Sequence, residues 1–298
     1  MAEQVAWIGT GNMGFPIAEN LLKNGWDLSV TNRSIERAEP LVHSGAKIAL
    51  SVGEAVSGRG IAATLLSDDE AVRTVAEGPG GLIENLPPGG IHISFSTLSP
   101  GFVEQLARRH AEKGQILVAA PVFGRPDRAK AATLTIVTAG PARVLDRLEP
   151  LFRAIGSEVF RVGDEPWKAN WVKILGNFTL GGILETLAET LALSRRVDLS
   201  PALMVEILDT ALYRSPVIRN YGTLMAEEAF EPAGFRMRLG LKDINLVATA
   251  AAKLDIPLPL ADLVRNGFMS GLHRGYENLD WSALSKVRAE DAGVERHD

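Results

Sequence analysis

The sequence predicts a doubly wound α/β domain followed by an all-α C-terminal domain, the two joined by one long helix. Three observations carry this. Residues 4–14, QVAWIGTGNMG, form an apolar strand-like run that passes at once into Gly9-x-Gly11-x-x-Gly14 and a helix-like stretch. Strand and helix patterns alternate up to about Gly163. From about Pro166 the pattern is helical almost throughout. A chain of 298 residues suits two domains, expected here as 1–164 and 165–298.

The first element is the strand beginning at Gln4. Its glycine turn has the Rossmann form: Gly9 permits the tight turn, Gly11 lets backbone approach a pyrophosphate, and Gly14 lets the helix pack on the strand. Thr10, Asn12 and Met13 complete the loop and are expected to share its cofactor contacts. The helix places Met13, Ile17, Leu21 and Leu22 on one face and stops at Gly25. Its N-terminus offers N–H groups and the positive end of a dipole to phosphates. A glycine-rich turn without a ligand is the alternative, and the strand–turn–helix context argues against it.

The second strand spans Asp27–Asn32 and indicates which dinucleotide is used. An NAD-preferring site usually ends this strand in a carboxylate that accepts from the ribose 2′-hydroxyl. Here it ends in Asn32-Arg33-Ser34. Arg33 suits a charge-assisted pair with a 2′-phosphate, Ser34 can donate its hydroxyl, and Arg37 lies one turn on. NADP is therefore expected over NAD. Arg33 as a solvated cation and Ser34 as a helix cap remain the alternatives.

Further strands are predicted near Ala46–Leu50, Gly60–Leu66, Ile91–Ser94, Gln115–Ala120, Leu134–Thr138 and Val159–Val162. The run 60–66 is apolar throughout, as in a parallel strand buried on both faces. Ser51 with Glu54 forms a capping box. Ser67-Asp68-Asp69-Glu70 puts caps and acids at a helix start. Ser99-Pro100 opens a helix that ends at Gly114, and another runs from Ala142 to Ile155. All the strands are expected in one sheet with helices on both faces.

Beyond Gly163, Pro166–Arg195 carries apolar residues on more than one face and would extend roughly 45 Å. Such girth implies burial, part of it against another subunit. Later helices are predicted at Pro201–Tyr213, Pro216–Ala226, Arg238–Leu254 and Leu260–Gly271, with a frayed polar tail after Arg288.

Composition narrows the function. Hydrophobic residues at 46% and charged residues at 22% are ordinary for a soluble globular protein with a real core. A net charge of −5 argues against nucleic acid or an anionic membrane as partner. Absence of cysteine removes disulfides, thiolate metal sites and cysteine nucleophiles. The five histidines show no metal-ligand spacing and read as structural or exposed, so no metal is expected. No segment offers about 20 consecutive apolar residues, nor is there a signal-peptide pattern, so a cytoplasmic location is expected.

Chemistry must come from residues facing the nicotinamide. Lys173 and Asn177 stand four apart on the long helix and share a face. Lys173 lies among Trp171, Val172, Ile174 and Leu175, where burial favours the neutral amine. A lysine beside a carbonyl can donate a proton as hydride arrives, and Asn177 can orient a hydroxyl or carboxylate. On spacing alone, a solvated or snorkelling lysine is the commoner outcome.

Five motifs in order widen the reading. IGTGNMGFPIAENLLKNG, FSTLSP at 95–100, AAPVFGRPDRAKAATLTIVTAG at 119–140, WVKILGN at 171–177 and FRMRLGLKDINL at 235–246 together resemble the β-hydroxyacid dehydrogenases over nearly the whole chain. The resemblance implies an NADP(H)-dependent oxidoreductase that moves hydride between nicotinamide and a small carbonyl or hydroxyacid compound. It implies Lys173 as general acid/base and Asn177 as a substrate ligand. It also implies Thr97 beside the nicotinamide, Lys242 closing over the cofactor, with Asp243 orienting a neighbouring lysine or capping local structure rather than reacting, and Leu66, Ser67 and Asp68 along the cofactor. Homodimers or homotetramers through the helical domain are implied as well.

Departures from the family pattern bear on substrate. Phe123, Gly124 and Arg125 stand where most members place the Ser-Gly-Gly that binds a substrate carboxylate. Ala119 replaces an acid, and Gly176 replaces the first asparagine of a pair. These changes point to a bulkier or less acidic carbonyl compound, with Arg125 as a candidate clamp. Tyr213, Tyr221 and Trp167 are candidate pocket walls or simply core. Imine reduction on the same scaffold and a non-catalytic NADP-binding module are the competing functions. Retention of Lys173 and the lack of extra domains weigh against them.

Overall fold

The computed structural model describes residues 3–294. From the N-terminus, β1 (Gln4–Ile8), α1 (Gly14–Lys23), β2 (Asp27–Thr31), β3 (Lys47–Ile48), α2 (Val52–Val56) and β4 (Ile61–Thr64) follow one another. Next come α3 (Asp69–Glu77), α4 (Leu82–Asn85), β5 (Ile91–Ser94), α5 (Pro100–Glu112) and β6 (Ile116–Ala119). The six strands form one parallel sheet in the order β3-β2-β1-β4-β5-β6. The order reverses at β1, so a crevice opens beyond the carboxyl ends of β1 and β4.

Strand periodicity explains why both faces are covered. Val5 and Trp7 point into a cluster with Ile17 and Leu21 of α1, while Ala6 and Ile8 point into another with Val72, Phe102 and Leu106. The predicted caps are present: Ser51 Oγ accepts from Glu54 N, Asp68 Oδ1 from Ala71 N and Ser99 Oγ from Phe102 N. Glu54 closes its box on Leu50 N, one residue before the cap.

The expectation of one sheet needs correction. β7 (Val122–Phe123), α6 (Pro126–Lys130), β8 (Leu134–Thr138), α7 (Ala142–Ile155) and β9 (Gly156–Arg161) build a separate three-stranded sheet, β7-β8-β9. β7 is antiparallel to β8, and β8 is parallel to β9. Only an Ala119–Ala139 bridge joins this sheet to the larger one among the described residues. Gly140 sits at φ +157, and its missing side chain leaves room for Val118.

One buried polar chain crosses this half. Gln115 Nε2 donates to the Leu86 and Ile83 carbonyls, so its Oε1 accepts from His110 Nδ1 at 2.8 Å. That fixes the rest: His110 Nε2 accepts from His92 Nδ1, and His92 Nε2 accepts from the Thr64 hydroxyl, each at 2.9 Å. Every link requires a neutral imidazole. Burial pushes both rings below their ordinary 6.5, His92 well below, with the neighbouring His110 adding to the effect.

The second half is helical: α8 (Trp167–Arg196), α9 (Pro201–Leu208), α10 (Pro216–Ala226), α11 (Met237–Ala252), α12 (Pro259–His273) and α13 (Leu284–Asp291). The chain divides into two units within α8, between Lys173 and Ile174. The helical unit packs Leu184, Met237, Ile244 and Phe268 around buried Trp281, with Tyr221 edge-on to that indole. Tyr221 is thus core rather than pocket wall. The predicted helix to Tyr213 stops at Leu208, and a π-helical turn follows over Asp209–Tyr213. It ends at Arg214 in the left-handed region, with Asp209 bonded to Ser215 N and Arg219. The frayed tail is corrected too: α13 reaches Asp291 because Arg288 pairs with Glu185 and Asp291 while Arg274 pairs with Glu290 and Asp291. Residues 295–298, with His297, lie outside the described residues. No helix among the described residues is long and apolar enough to cross a membrane.

Candidate active site

The glycine loop is built from the strand outward. Trp7 Nε1 donates to the Gly9 carbonyl at 2.9 Å, and Gly9 N donates to Thr31 O. Gly9 lies at φ +106, and a Cβ there would stand 2.4 Å from Leu65 O. A Cβ on Gly14 would stand 2.1 Å from Gly9 O. Those two glycines are demanded by the fold itself. Gly11 differs, because a Cβ there would meet nothing within 4 Å. The space it leaves is open to a ligand's backbone approach. Met13, at the N-cap of α1, makes no side-chain capping bond, and Thr10 Oγ1 is buried with no hydrogen-bond partner among the described residues. An open helix start and an orphaned hydroxyl fit a bound pyrophosphate.

At the end of β2, Asn32 is a brace. Its Oδ1 accepts from Thr10 N at 3.1 Å and its Nδ2 donates to Ser34 O at 2.7 Å. Arg33, Ser34 and Arg37 are exposed there, as is Glu36. The Ser34 side chain makes no capping bond to the 3₁₀ turn Ile35–Arg37. Asn12 is exposed, and Met13 is half-buried against the core.

The loops after β4 and β5 are tied together. Leu66 N donates to Ser96 Oγ at 2.8 Å, Ser67 Oγ donates to Asp68, and Ser99 is bonded to Asp69 through both its N and its hydroxyl. Asn170 then hangs α8 from this assembly through the carbonyls on either side of half-buried Thr97. Sequence reasoning missed Asn170. One signal was available, namely a polar residue one turn before Lys173 on the same face of an apolar helix.

Lys173 is 9% exposed, and its Nζ lies 4.1 Å from the centroid of the Phe123 ring. A cation on an aromatic face at this burial is worth about 1–2 kcal/mol. Phe123 is the last residue of β7. Gly124 at φ +142 turns the chain, and Arg125, half-buried, precedes α6. Trp167 lies partly buried against the cluster that also takes Leu66 and Phe123.

In the helical unit, Asn177 Nδ2 donates to Asp243 Oδ2 at 2.5 Å, and Lys242 Nζ pairs with Asp243 Oδ1 at 2.9 Å. Asp243, 1% exposed, therefore holds both predicted ligands. A pocket of about 330 Å³ lies elsewhere in this unit, between α8 and the π-helical turn, lined by residues that include Phe178, Ile183, Leu208 and half-exposed Tyr213. The structure thus joins the cofactor loops, Thr97 and Lys173 with Phe123 in one unit, and Asn177 with Lys242 in the other.

Known proteins match both parts of the chain. Residues 4–163 match the NAD binding domain of 6-phosphogluconate dehydrogenase, and residues 168–288 match the NAD-binding of NADP-dependent 3-hydroxyisobutyrate dehydrogenase. An uncharacterized oxidoreductase of Bacillus subtilis, YfjR, is 48% identical over 95% of this chain and 99% of its own. The crystal structure of 3-hydroxyisobutyrate dehydrogenase from Salmonella typhimurium superposes with a TM-score of 0.87 at 26% identity, covering 96% of this chain and 99% of its own. Psf3, solved in complex with NADP+ and 2-OPP, superposes at 0.86 with 25% identity, covering 95% and 99%. A parallel sheet reversing at a glycine turn, an open cradle at Gly11 and two matched halves lead to one conclusion: the chain is an NAD(P)-dependent oxidoreductase of the β-hydroxyacid dehydrogenase family, acting on hydroxyl groups.

Proposed function

We propose that this enzyme uses NADP(H) and interconverts a small carbonyl compound with its alcohol, Lys173 serving as the proton donor and acceptor. The observation that carries the reading is the buried Lys173 ammonium one helical turn from Asn170, whose amide bonds flank Thr97. The bound nicotinamide would supply or take the hydride. Lys173 gives its proton to the carbonyl oxygen in reduction and takes it back in oxidation. Asn177 orients the substrate's polar group, Asp243 holding its amide. Gly124 and Arg125 line the substrate side with Phe123. Residues 9–14, Asn32, Leu66, Ser67, Thr97 and Lys242 serve the cofactor, and Arg33 with Ser34 receive a 2′-phosphate. Family membership and the open cradle at Gly11 support this division of labour.

Assignment of residues 1–164 to cofactor binding and 165–298 to substrate and subunit contacts belongs to the same reading, as does a cytoplasmic location. A homodimer or homotetramer through the helical domain is supported by exposed Leu193, Val197, Leu199 and Leu203 near the end of α8 and in α9.

The test is Lys173→Ala assayed against a panel of small aldehydes, ketones and cyclic imines. Turnover of carbonyls is expected to fall by about 10²–10⁴, while NADPH affinity stays within about twofold. Undiminished carbonyl turnover in that variant overturns the role of Lys173. Turnover of imines alone would favour imine reduction.

A further inference from the structure

Resting on that reading of Lys173, the geometry points to Phe123 as the residue that sets the substrate class: a carbonyl whose flank on the Phe123 side is apolar and uncharged, rather than one bearing a carboxylate there. The Lys173 ammonium rides over the face of this ring at 4.1 Å. That places an aromatic wall beside the proposed proton donor. A phenyl ring offers no hydrogen-bond donor, and its face carries the negative end of a quadrupole. A carboxylate seated there would lose its water without gaining a partner from the wall. An alkyl or aryl group would gain contact instead.

The wall cannot easily step aside. Phe123 pairs with Thr135 across β7 and β8, and its side chain packs against the buried cluster on which Leu66 and Trp167 also rest. The next residue, Gly124, is at φ +142, and a Cβ there would stand 2.6 Å from Leu134 Cδ2. Pairing of Val122 and Phe123 with β8 holds the backbone at the ring, and the close approach of Leu134 leaves no room for a side chain at 124. The reaction stays that of the family. The bound reduced cofactor would supply the hydride to the carbonyl carbon and be oxidised by two electrons as the C=O π bond opens, and the oxygen takes the proton from Lys173 Nζ. Phe123 touches no reacting atom and acts on which substituent can accompany the carbonyl.

The experiment compares kcat/KM for pentanal and for 4-oxobutanoate, chains of similar length that differ in the terminal carboxylate, with NADPH and the full-length protein. Wild type is expected to favour pentanal by roughly tenfold or more. Phe123→Ser should move the ratio toward 4-oxobutanoate by a similar factor. Phe123→Leu, apolar but without π electrons, should keep the preference for pentanal and serves if the serine variant does not fold. Thermal melts report folding in each case. A wild-type preference for 4-oxobutanoate, or a ratio that Phe123→Ser leaves unchanged, overturns the inference. Lys173→Ala separates it from the reading beneath. Turnover that needs Lys173 but ignores Phe123 sinks the inference alone, and silence of wild type toward every carbonyl sinks both.

Discussion

Asn170 ties the start of α8 to Ser96: its Nδ2 donates to the Ser96 carbonyl at 3.2 Å and, in the same grip, to the Leu98 carbonyl at 3.3 Å. The side chain is 1% exposed, and Thr97 sits between the two acceptors. Asn170→Leu should cost about 1–3 kcal/mol of stability by orphaning buried carbonyls. Asn170→Asp, though closer in shape, should cost more, because a carboxylate would face two carbonyl oxygens. With NADP-supported activity measured beside thermal melts, kcat should fall by about tenfold in the leucine variant. Unchanged kcat and melting temperature in both variants would refute this.

The three loop glycines make different predictions. Gly9→Ala collides with Leu65 O and demands a left-handed alanine, so it should destabilise by about 3 kcal/mol or more. Gly11→Ala enters open space and should leave stability within about 0.5 kcal/mol. It should nevertheless weaken NADP binding by roughly tenfold, since the methyl fills the pyrophosphate's approach. Calorimetric titration beside chemical denaturation separates the two effects. Full NADP affinity in Gly11→Ala would remove the cradle from the argument.

The proposed role of Arg33 predicts a cofactor preference. If its guanidinium takes a 2′-phosphate, Arg33→Ala should weaken NADP by about tenfold or more and leave NAD within about twofold. Equal weakening of both, or of neither, would show that the exposed cation does not read the phosphate. Higher salt should narrow the wild-type difference, because the group is exposed.

The buried histidines predict a pH dependence. Both rings are neutral in the fold and hold their pKa below the ordinary 6.5. Below that pH the unfolded chain binds more protons than the folded one, so stability falls as pH drops through about 6.5 and is flat above it. Each histidine contributes up to about 1.4 kcal/mol per pH unit. Melting temperatures should decline from pH 7 to 5.5 and decline less in a His92→Leu, His110→Leu double variant. A wild-type profile level across that range would contradict the neutral chain from Thr64 to Gln115.

Much of the first half was legible because its signals are local. Gly14 is imposed by the Gly9 carbonyl within one strand–turn–helix, Gly9 is marked by the tight turn it makes there although the atom that crowds it is Leu65 O after β4, and Ser51, Asp68 and Ser99 cap the helices that follow them. The long helix was readable from its apolar girth to within a residue at each end. What escaped depends on distance along the chain. Two-residue β7 owes its existence to pairing with β8, and α13 owes its length to Arg288 reaching Glu185. Asn170 looked like any polar residue on a helix, since its acceptors lie more than 70 residues away. Lys173 drew attention through its neighbours, but its aromatic partner comes from a strand 50 residues earlier.

The bridge between Ala119 and Ala139 has a consequence for how such a protein can diversify. Phe123 belongs to the small sheet, so exchanging it removes no backbone bond from the six parallel strands that carry the nucleotide loops. Positions 123–125 can therefore vary while the six parallel strands keep their register. On the proposed reading, one frame could then take up different substrates by a few local replacements.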